Sequence, residues 1–397
     1  MSLIEDFVAA TNNGLSPERF RRWTALSMIS TALDRRVWTS IVRGKALYPN
    51  LYVLLVGPPG VGKSTAISPA RRCLETQPHI ALSPNSITHE AFIKLLSERA
   101  KELDMVNGEP KQRATLGLFL SEWGTFLRRP ENDDLSMLAD IYDCENFERL
   151  TIGRWDDPEK ARNLYVNILA ACTPAWFAEG FPPNSYEQGL PTRFQFIYST
   201  GQDVKPDFEF TEEARNTSIA DKFLPKLDKL TKYAGFVQWS AAAGKAFNKW
   251  KQGGFEPRPR DPLLVGYCER RHLHVAKMSI LFAAARGPKT LEITKVDFDA
   301  ARAMLLEAEP DMSIALEAAG GNPYQLRQEA VANFVTARFR ETKRDVPEWE
   351  VRQRLGKMVP PNILRSLLDE LIASKKIKQV YDEDRAPNRR LRPGVRK

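Results

Sequence analysis

The sequence predicts an α/β fold: a parallel sheet with helices on both faces, followed by a mainly helical region and a small C-terminal module of helices and strands. Three observations carry this. Short apolar runs alternate with helical stretches between residues 51 and 198, the pattern of a sheet whose strands are joined by helices. The strand pattern then fades after Gly201. Finally, Gly320-Gly321-Asn322-Pro323 reads as a linker ahead of a segment with its own pattern. The 397 residues suffice for several domains: an N-terminal helical segment (1–47), an α/β core (48–205), a helical region (206–319) and the C-terminal module (324–397).

Residues 1–47 read as helical. Ser16 stands as an N-cap with Pro17 at the first helical position, and Phe20, Trp23, Ala25, Leu26, Ile29 and Leu33 recur at helical spacing. LYVLLV (51–56) is an apolar, β-branched run that predicts a buried strand. Further buried strands are expected at HIAL (79–82), LGLFL (116–120), NLYVNILAAC (163–172) and RFQFIY (193–198), with helices at 88–103 and 134–143 between them. Residues 211–318 look largely helical, most clearly at 270–286 and 294–310. In the C-terminal module, helices over 324–340, 347–356 and 361–374 precede KIKQV and RRLRPG. Three helices followed by two short strands is the winged helix-turn-helix pattern.

No apolar run approaches the roughly 18 residues of a membrane helix, and the acidic start lacks the apolar stretch of a signal peptide. The four cysteines are far apart with no CxxC pair, which argues against a disulfide framework or zinc site and suits a reducing cytoplasm. The net charge of +8 is concentrated. Residues 324–397 hold 18 Lys and Arg against 10 Asp and Glu, so the rest of the chain balances to zero. Such a basic end is the electrostatic footprint of a nucleic-acid binder, or else a solvated tail.

Gly57-Pro58-Pro59-Gly60-Val61-Gly62-Lys63-Ser64 matches GxxxxGK[ST] at every fixed position, between an expected strand and an expected helix. In that pattern the glycines let successive backbone N–H groups turn inward around phosphates at a helix N-terminus. The motif, with Thr65 beside it, implies ATP binding: Lys63 would reach the β- and γ-phosphates and Ser64 would ligate Mg²⁺. Hydrolysis also needs a carboxylate to orient water. In LGLFLSEW an apolar strand ends in Ser121-Glu122: Glu122 is the candidate base and, with Ser64, a candidate metal-site residue, whereas Ser121 stands where most such ATPases carry Asp. Thr173 ends the next strand, where a polar side chain can sense the γ-phosphate, and Arg193 precedes the last strand, where an oligomeric ATPase offers an arginine to its neighbour.

In this order of elements the chain resembles the AAA+ ATPases over roughly residues 45 to 310, and more narrowly the minichromosome-maintenance and superfamily III helicase branch. YPNLYVLLVGPPGVGKST, IYD, TPAWF and GLPTRFQFIY are also similar to a family of phage and plasmid ATPases found beside primases. The resemblance implies that Thr173 is sensor 1, Arg193 the arginine finger, residues 206–319 the helical lid, and Arg271, with Arg270 close behind, the sensor 2 arginine. The polar stretch between Asp143 and Asn163 resembles that branch's pore hairpin, with Arg154, Lys160 and Arg162 toward DNA phosphates. In the C-terminal module, Leu364, Leu367, Leu368 and Leu371 form an apolar core stripe, while Arg365, Lys375, Lys376, Arg389, Arg390 and Arg392 are candidate DNA contacts. The reading implied is a cytoplasmic, ring-forming ATPase, expected as a hexamer, that couples ATP hydrolysis to DNA translocation or unwinding in phage or mobile-element replication. A primase or another replication protein is the candidate partner. The alternative is an ATP-switched DNA-binding protein, a helicase loader or transposition regulator, without unwinding.

Overall fold

The computed structural model describes residues 2–12, 15–100, 103–106, 109–127, 132–149, 159–181, 189–201, 219–261, 264–318, 323–355, 361–380 and 390–394. The chain opens with helix α1 (Leu3–Ala10), started by a reciprocal capping box between Ser2 and Glu5. Helix α2 (Glu18–Leu33) follows, with Pro17 rather than Ser16 at its N-cap. Helix α2 is buried almost all round, so its polar side chains need partners. They find them on the sheet: Ser30 Oγ donates to Asn167 Oδ1 (2.7 Å), and Asn167 Nδ2 donates to Ser27 O (3.2 Å) and Thr31 Oγ1 (3.0 Å). This network explains an Asn in the middle of an otherwise apolar strand.

The helical reading of residues 1–47 fails after residue 36. Strands β1 (Val37–Val42) and β2 (Lys45–Leu47) form an antiparallel hairpin instead. VWTSIV is rich in residues that favour strands, and Gly44 sits in the tight turn with φ +80°.

Strand β3 (Tyr52–Val56) leads into helix α3 (Lys63–Glu75) and then α4 (His89–Arg99). The expected strand at 79–82 shrinks to one parallel bridge, Leu82 with Gly117. Pro84 lies two residues on and has no N–H with which to extend the ladder. The helix expected to run to residue 103 stops at Arg99, and β4 (Leu103–Val106) pairs with β5 (Glu109–Gln112). Next come β6 (Ala114–Leu120), the short α5 (Trp123–Phe126), α6 (Asn132–Tyr142), and a hairpin of β7 (Phe147–Arg149) and β8 (Glu159–Ala161). Strand β9 (Leu164–Cys172), helix α7 (Pro174–Gly180) and strand β10 (Phe194–Tyr198) complete the core.

The central sheet is parallel, in the order β10-β3-β9-β6. Every residue of β3 and β9 is buried, as expected of strands covered on both faces. Because the strands run the same way, the loops after β3, β6 and β9 emerge at one edge of the sheet. Such carboxyl-end crevices are where open α/β sheets bind ligands.

Beyond the sheet, α8 (Ile219–Leu230), short strands β11 (Gly235–Phe236) and β12 (Gln238–Trp239), α9 (Ala241–Gln252), α10 (Val265–Ala285), β13 (Glu292–Ile293) and α11 (Lys295–Ala318) form the helical region. Helix α11 packs on α10 and against β10. The C-terminal module consists of α12 (Pro323–Thr342), β14 (Val346–Pro347), α13 (Glu348–Leu355), α14 (Pro361–Ala373), β15 (Ile377–Val380) and β16 (Arg390–Pro393). Its three strands pair in the order β14-β16-β15. Leu364, Leu367, Leu368 and Leu371 are buried in its own core with Val335, Ile377 and Leu391. Among the described residues no helix is long and apolar enough to cross a membrane, and the four cysteines are free and buried.

Candidate functional site

The glycine loop leaves β3 at the sheet's carboxyl edge and enters α3 at Lys63. Two of its glycines hold conformations that a side chain disfavours: Gly60 has φ +81° and Gly62 φ +85°. Gly62 is also pressed against the backbone before α2, where a Cβ would run into the Leu15 carbonyl oxygen. A Cβ at Gly57 would likewise strike the Ser199 carbonyl oxygen after β10. The Gly57 N–H donates to Cys172 O (3.3 Å), tying the start of the loop to the end of β9.

Lys63 Nζ folds back over the loop and donates to the carbonyls of Gly57 (2.7 Å) and Pro58 (2.8 Å). Burial pulls its pKa below the ordinary lysine value, partly opposed by Cys172 and by the negative charge of Glu122. Burial, reinforced by Glu122, raises the Cys172 thiol. Lys63, Glu122 and Cys172 therefore form one electrostatic cluster. Along the loop, Pro58 is half-buried, Pro59 exposed and Val61 buried, while at the head of α3 Ser64 is exposed and Thr65 half-buried.

Glu122 follows β6 and holds the N-cap position of α5, yet its side chain makes no capping bond. Its Oε1 is buried without a hydrogen-bond partner. A carboxylate oxygen held this way costs desolvation energy with no structural return. Glu122 also lines a cavity of about 480 Å³ together with Thr88, His89, Asp134 and Trp176. There His89 Nδ1 lies 3.1 Å from Asp134 Oδ1, a pair that nothing in the local sequence signals. A second cavity, also about 480 Å³, is lined by Arg19, Arg22, Glu307 and Ser199, the residue whose carbonyl crowds Gly57. Arg19, also unmarked in the sequence, donates to Tyr198 O (3.0 Å) and pairs with Asp311. Among the described residues no group of three or more His, Cys, Asp or Glu could hold a metal ion.

The other expected residues are placed differently. Thr173 follows the last residue of β9 at the same edge, but its Oγ1 accepts from Trp176 N (3.4 Å) and caps α7. Arg193 lies at the opposite end of the sheet, since Phe194 pairs with Tyr52, the first residue of β3. In the single chain its side chain is buried, with Nη2 2.5 Å from Asp143 Oδ2 and Nη1 bonded to Gly189 O (2.9 Å). Arg270 approaches the same carboxylate at 3.4 Å. Burial alone would raise Asp143, yet Arg193 and Arg270 hold it below the usual carboxylate value. Arg271 also departs from the expected position beside a nucleotide. Fully buried, it grips Glu309 with two bonds (2.7 and 2.6 Å) and donates to Phe255 O and Pro257 O. It is a strut between α10 and α11.

Of the expected DNA contacts, Arg154 and Arg389 lie outside the described residues, and Lys160 sits in β8. Arg162, Arg365, Lys375 and Lys376 are exposed, and Arg390 is half-buried. Arg392 is exposed but already paired with Asp345 at 2.6 and 3.0 Å. No family model matches the chain, and no curated protein matches it either.

Proposed function

We propose that the chain is a P-loop ATPase of AAA+ type that acts on DNA. The observation that carries this reading is the glycine loop at the sheet's carboxyl edge, with Lys63 at its helical end and an unengaged Glu122 beside it. The left-handed conformations of Gly60 and Gly62 fit a loop whose backbone N–H groups turn inward around phosphates, and the bare Cα atoms of Gly57 and Gly62 let that loop pack under the Ser199 and Leu15 carbonyls. Lys63 would exchange the carbonyls of Gly57 and Pro58 for phosphate oxygens. Ser64, exposed at the first turn of α3, would hold Mg²⁺ together with those oxygens, and Glu122, whose charge bears on Lys63, would face its water shell. Mg²⁺, when bound, supplies charge neutralisation on the phosphates. Glu122 would accept a hydrogen bond from the attacking water and orient it. The cavity at Arg19 and Ser199 has the volume for a base and sugar.

The C-terminal module, with its helices, three-stranded sheet and exposed Arg365, Lys375 and Lys376, supports a winged helix that meets DNA phosphates. The β7–β8 hairpin ahead of β9 supports a second contact. Under this reading the protein forms a hexameric ring and translocates on DNA in phage or mobile-element replication, with a primase as a candidate partner. A second reading, an ATP-switched DNA-binding protein without unwinding, is favoured by Ser121 and by the buried Arg193. Strand displacement on a forked DNA substrate separates the two. The translocase reading requires ATP-dependent release of the displaced strand. ATP-dependent DNA binding without release would leave the switch, and no ATP binding at all would end both.

A further inference from the structure

At the amino end of the sheet lies a cavity of about 390 Å³ that the nucleotide reading leaves unused. The length of β3 alone separates it from the glycine loop by about 16 Å. Ile41, Leu47, Tyr48 and Leu273 give it apolar walls, and Asn50, Tyr142 and Lys277 form its polar floor. Lys277 is buried, and its ammonium donates to two neutral acceptors, Asn50 Oδ1 (2.8 Å) and Tyr142 O (3.4 Å), while lying 3.6 Å from the centre of the Tyr142 ring. The carboxylate in the lining, Asp143, is already shared by Arg193 and Arg270. Lys45 and Arg270 line the cavity as well, and burial keeps His272 toward its neutral form. Cations thus outnumber carboxylates around an apolar-walled space of small-molecule size, and a buried charge whose nearby carboxylate is shared with two arginines is costly.

We infer that this cavity binds a small organic anion, with its apolar body between Leu47, Tyr48 and Leu273 and its acidic group at Lys277 and Arg270. Neither the anion nor its site depends on the nucleotide reading.

Fluorescence titration of the full-length chain with 8-anilinonaphthalene-1-sulfonate tests this, against the uncharged N-phenyl-1-naphthylamine as a probe of the same body. One saturable sulfonate site per chain is expected, with the neutral dye at least about tenfold weaker, since charge-assisted hydrogen bonds contribute most of that difference. Lys277→Met should weaken the sulfonate dye about tenfold and leave the neutral dye unchanged. Leu47→Trp, at the half-buried mouth, should block both while the thermal transition stays cooperative. Saturating ATP should leave the titration intact. Equal affinity of the two dyes, or unchanged sulfonate binding in Lys277→Met, overturns the proposal. Competitive displacement by ATP would move the dye to the glycine loop and overturn it too. Displacement by a single-stranded oligonucleotide would assign the cavity to nucleic acid instead.

Discussion

Arg193, Arg271 and Lys277 are three cations that the fold takes into its interior, each with a different degree of compensation. Arg271 has Glu309, Arg193 shares Asp143 with Arg270, and Lys277 has neutral acceptors and an aromatic face. None of these partners is visible in the local sequence. Asp143 lies 50 residues before Arg193 and Glu309 lies 38 after Arg271, so position beside a strand or in a lid said nothing of their burial. Arg193→Ala should therefore cost stability by about 2–3 kcal/mol, because it leaves Asp143 partly buried with one weaker partner. Urea unfolding of Arg193→Ala, Asp143→Asn and the double variant should give a coupling above about 1 kcal/mol. Zero coupling with loss of ATP hydrolysis alone would return Arg193 to a finger. For Lys277 the prediction is one of pH. Burial depresses its pKa to about 8 from the ordinary 10.5, so between those values the unfolded chain binds more protons than the folded one. Stability should then rise with pH across that window, by up to about 3 kcal/mol at 1.36 kcal/mol per unit, relative to Lys277→Met. Parallel unfolding curves of the two proteins from pH 7.5 to 10.5 would contradict this.

Two glycines of the same loop separate backbone conformation from crowding. Gly60 and Gly62 both hold positive φ, but a Cβ at Gly60 would meet open space whereas one at Gly62 would strike the Leu15 carbonyl. Gly60→Ala should cost about 1 kcal/mol for the left-handed conformation alone. Gly62→Ala should cost at least twice that and disturb the segment before α2, as read by thermal unfolding and proteolysis near Leu15. Equal costs would mean that the contact with Leu15 carries no energy. The elements of the parallel sheet were legible because buried strands are apolar runs with little else in them, as LYVLLV and LGLFL are. The hairpins β1–β2 and β4–β5 were not, because short strands follow helices whose periodicity continues into them. Asn107-Gly108 was the available turn signal for the second. In the C-terminal module the stripe of four leucines marked the core helix, whereas β14, only two residues long, carries no pattern of its own.

At the scale of the molecule, charge and core are divided alike. Residues 324–397 carry the whole net excess of +8, and the described part of that segment packs around its own core. Deleting it should lower duplex DNA affinity and flatten the salt dependence by about 0.9 in log–log slope for each DNA phosphate that the module neutralises, with ATP turnover retained. An unchanged slope would make the module a protein-docking domain. The central claim, however, rests on the sheet's carboxyl edge, where a lysine and a carboxylate that follow different strands share one electrostatic cluster. The most direct measurement is equilibrium binding and turnover of ATP in wild type, Lys63→Ala and Glu122→Gln. Lys63→Ala should lose binding, because it removes the cation that meets the phosphates. Glu122→Gln should keep ATP with near wild-type affinity while turnover falls by at least about a hundredfold, the scale of a missing general base. Wild-type turnover in Glu122→Gln, or unchanged ATP affinity in Lys63→Ala, would contradict the account.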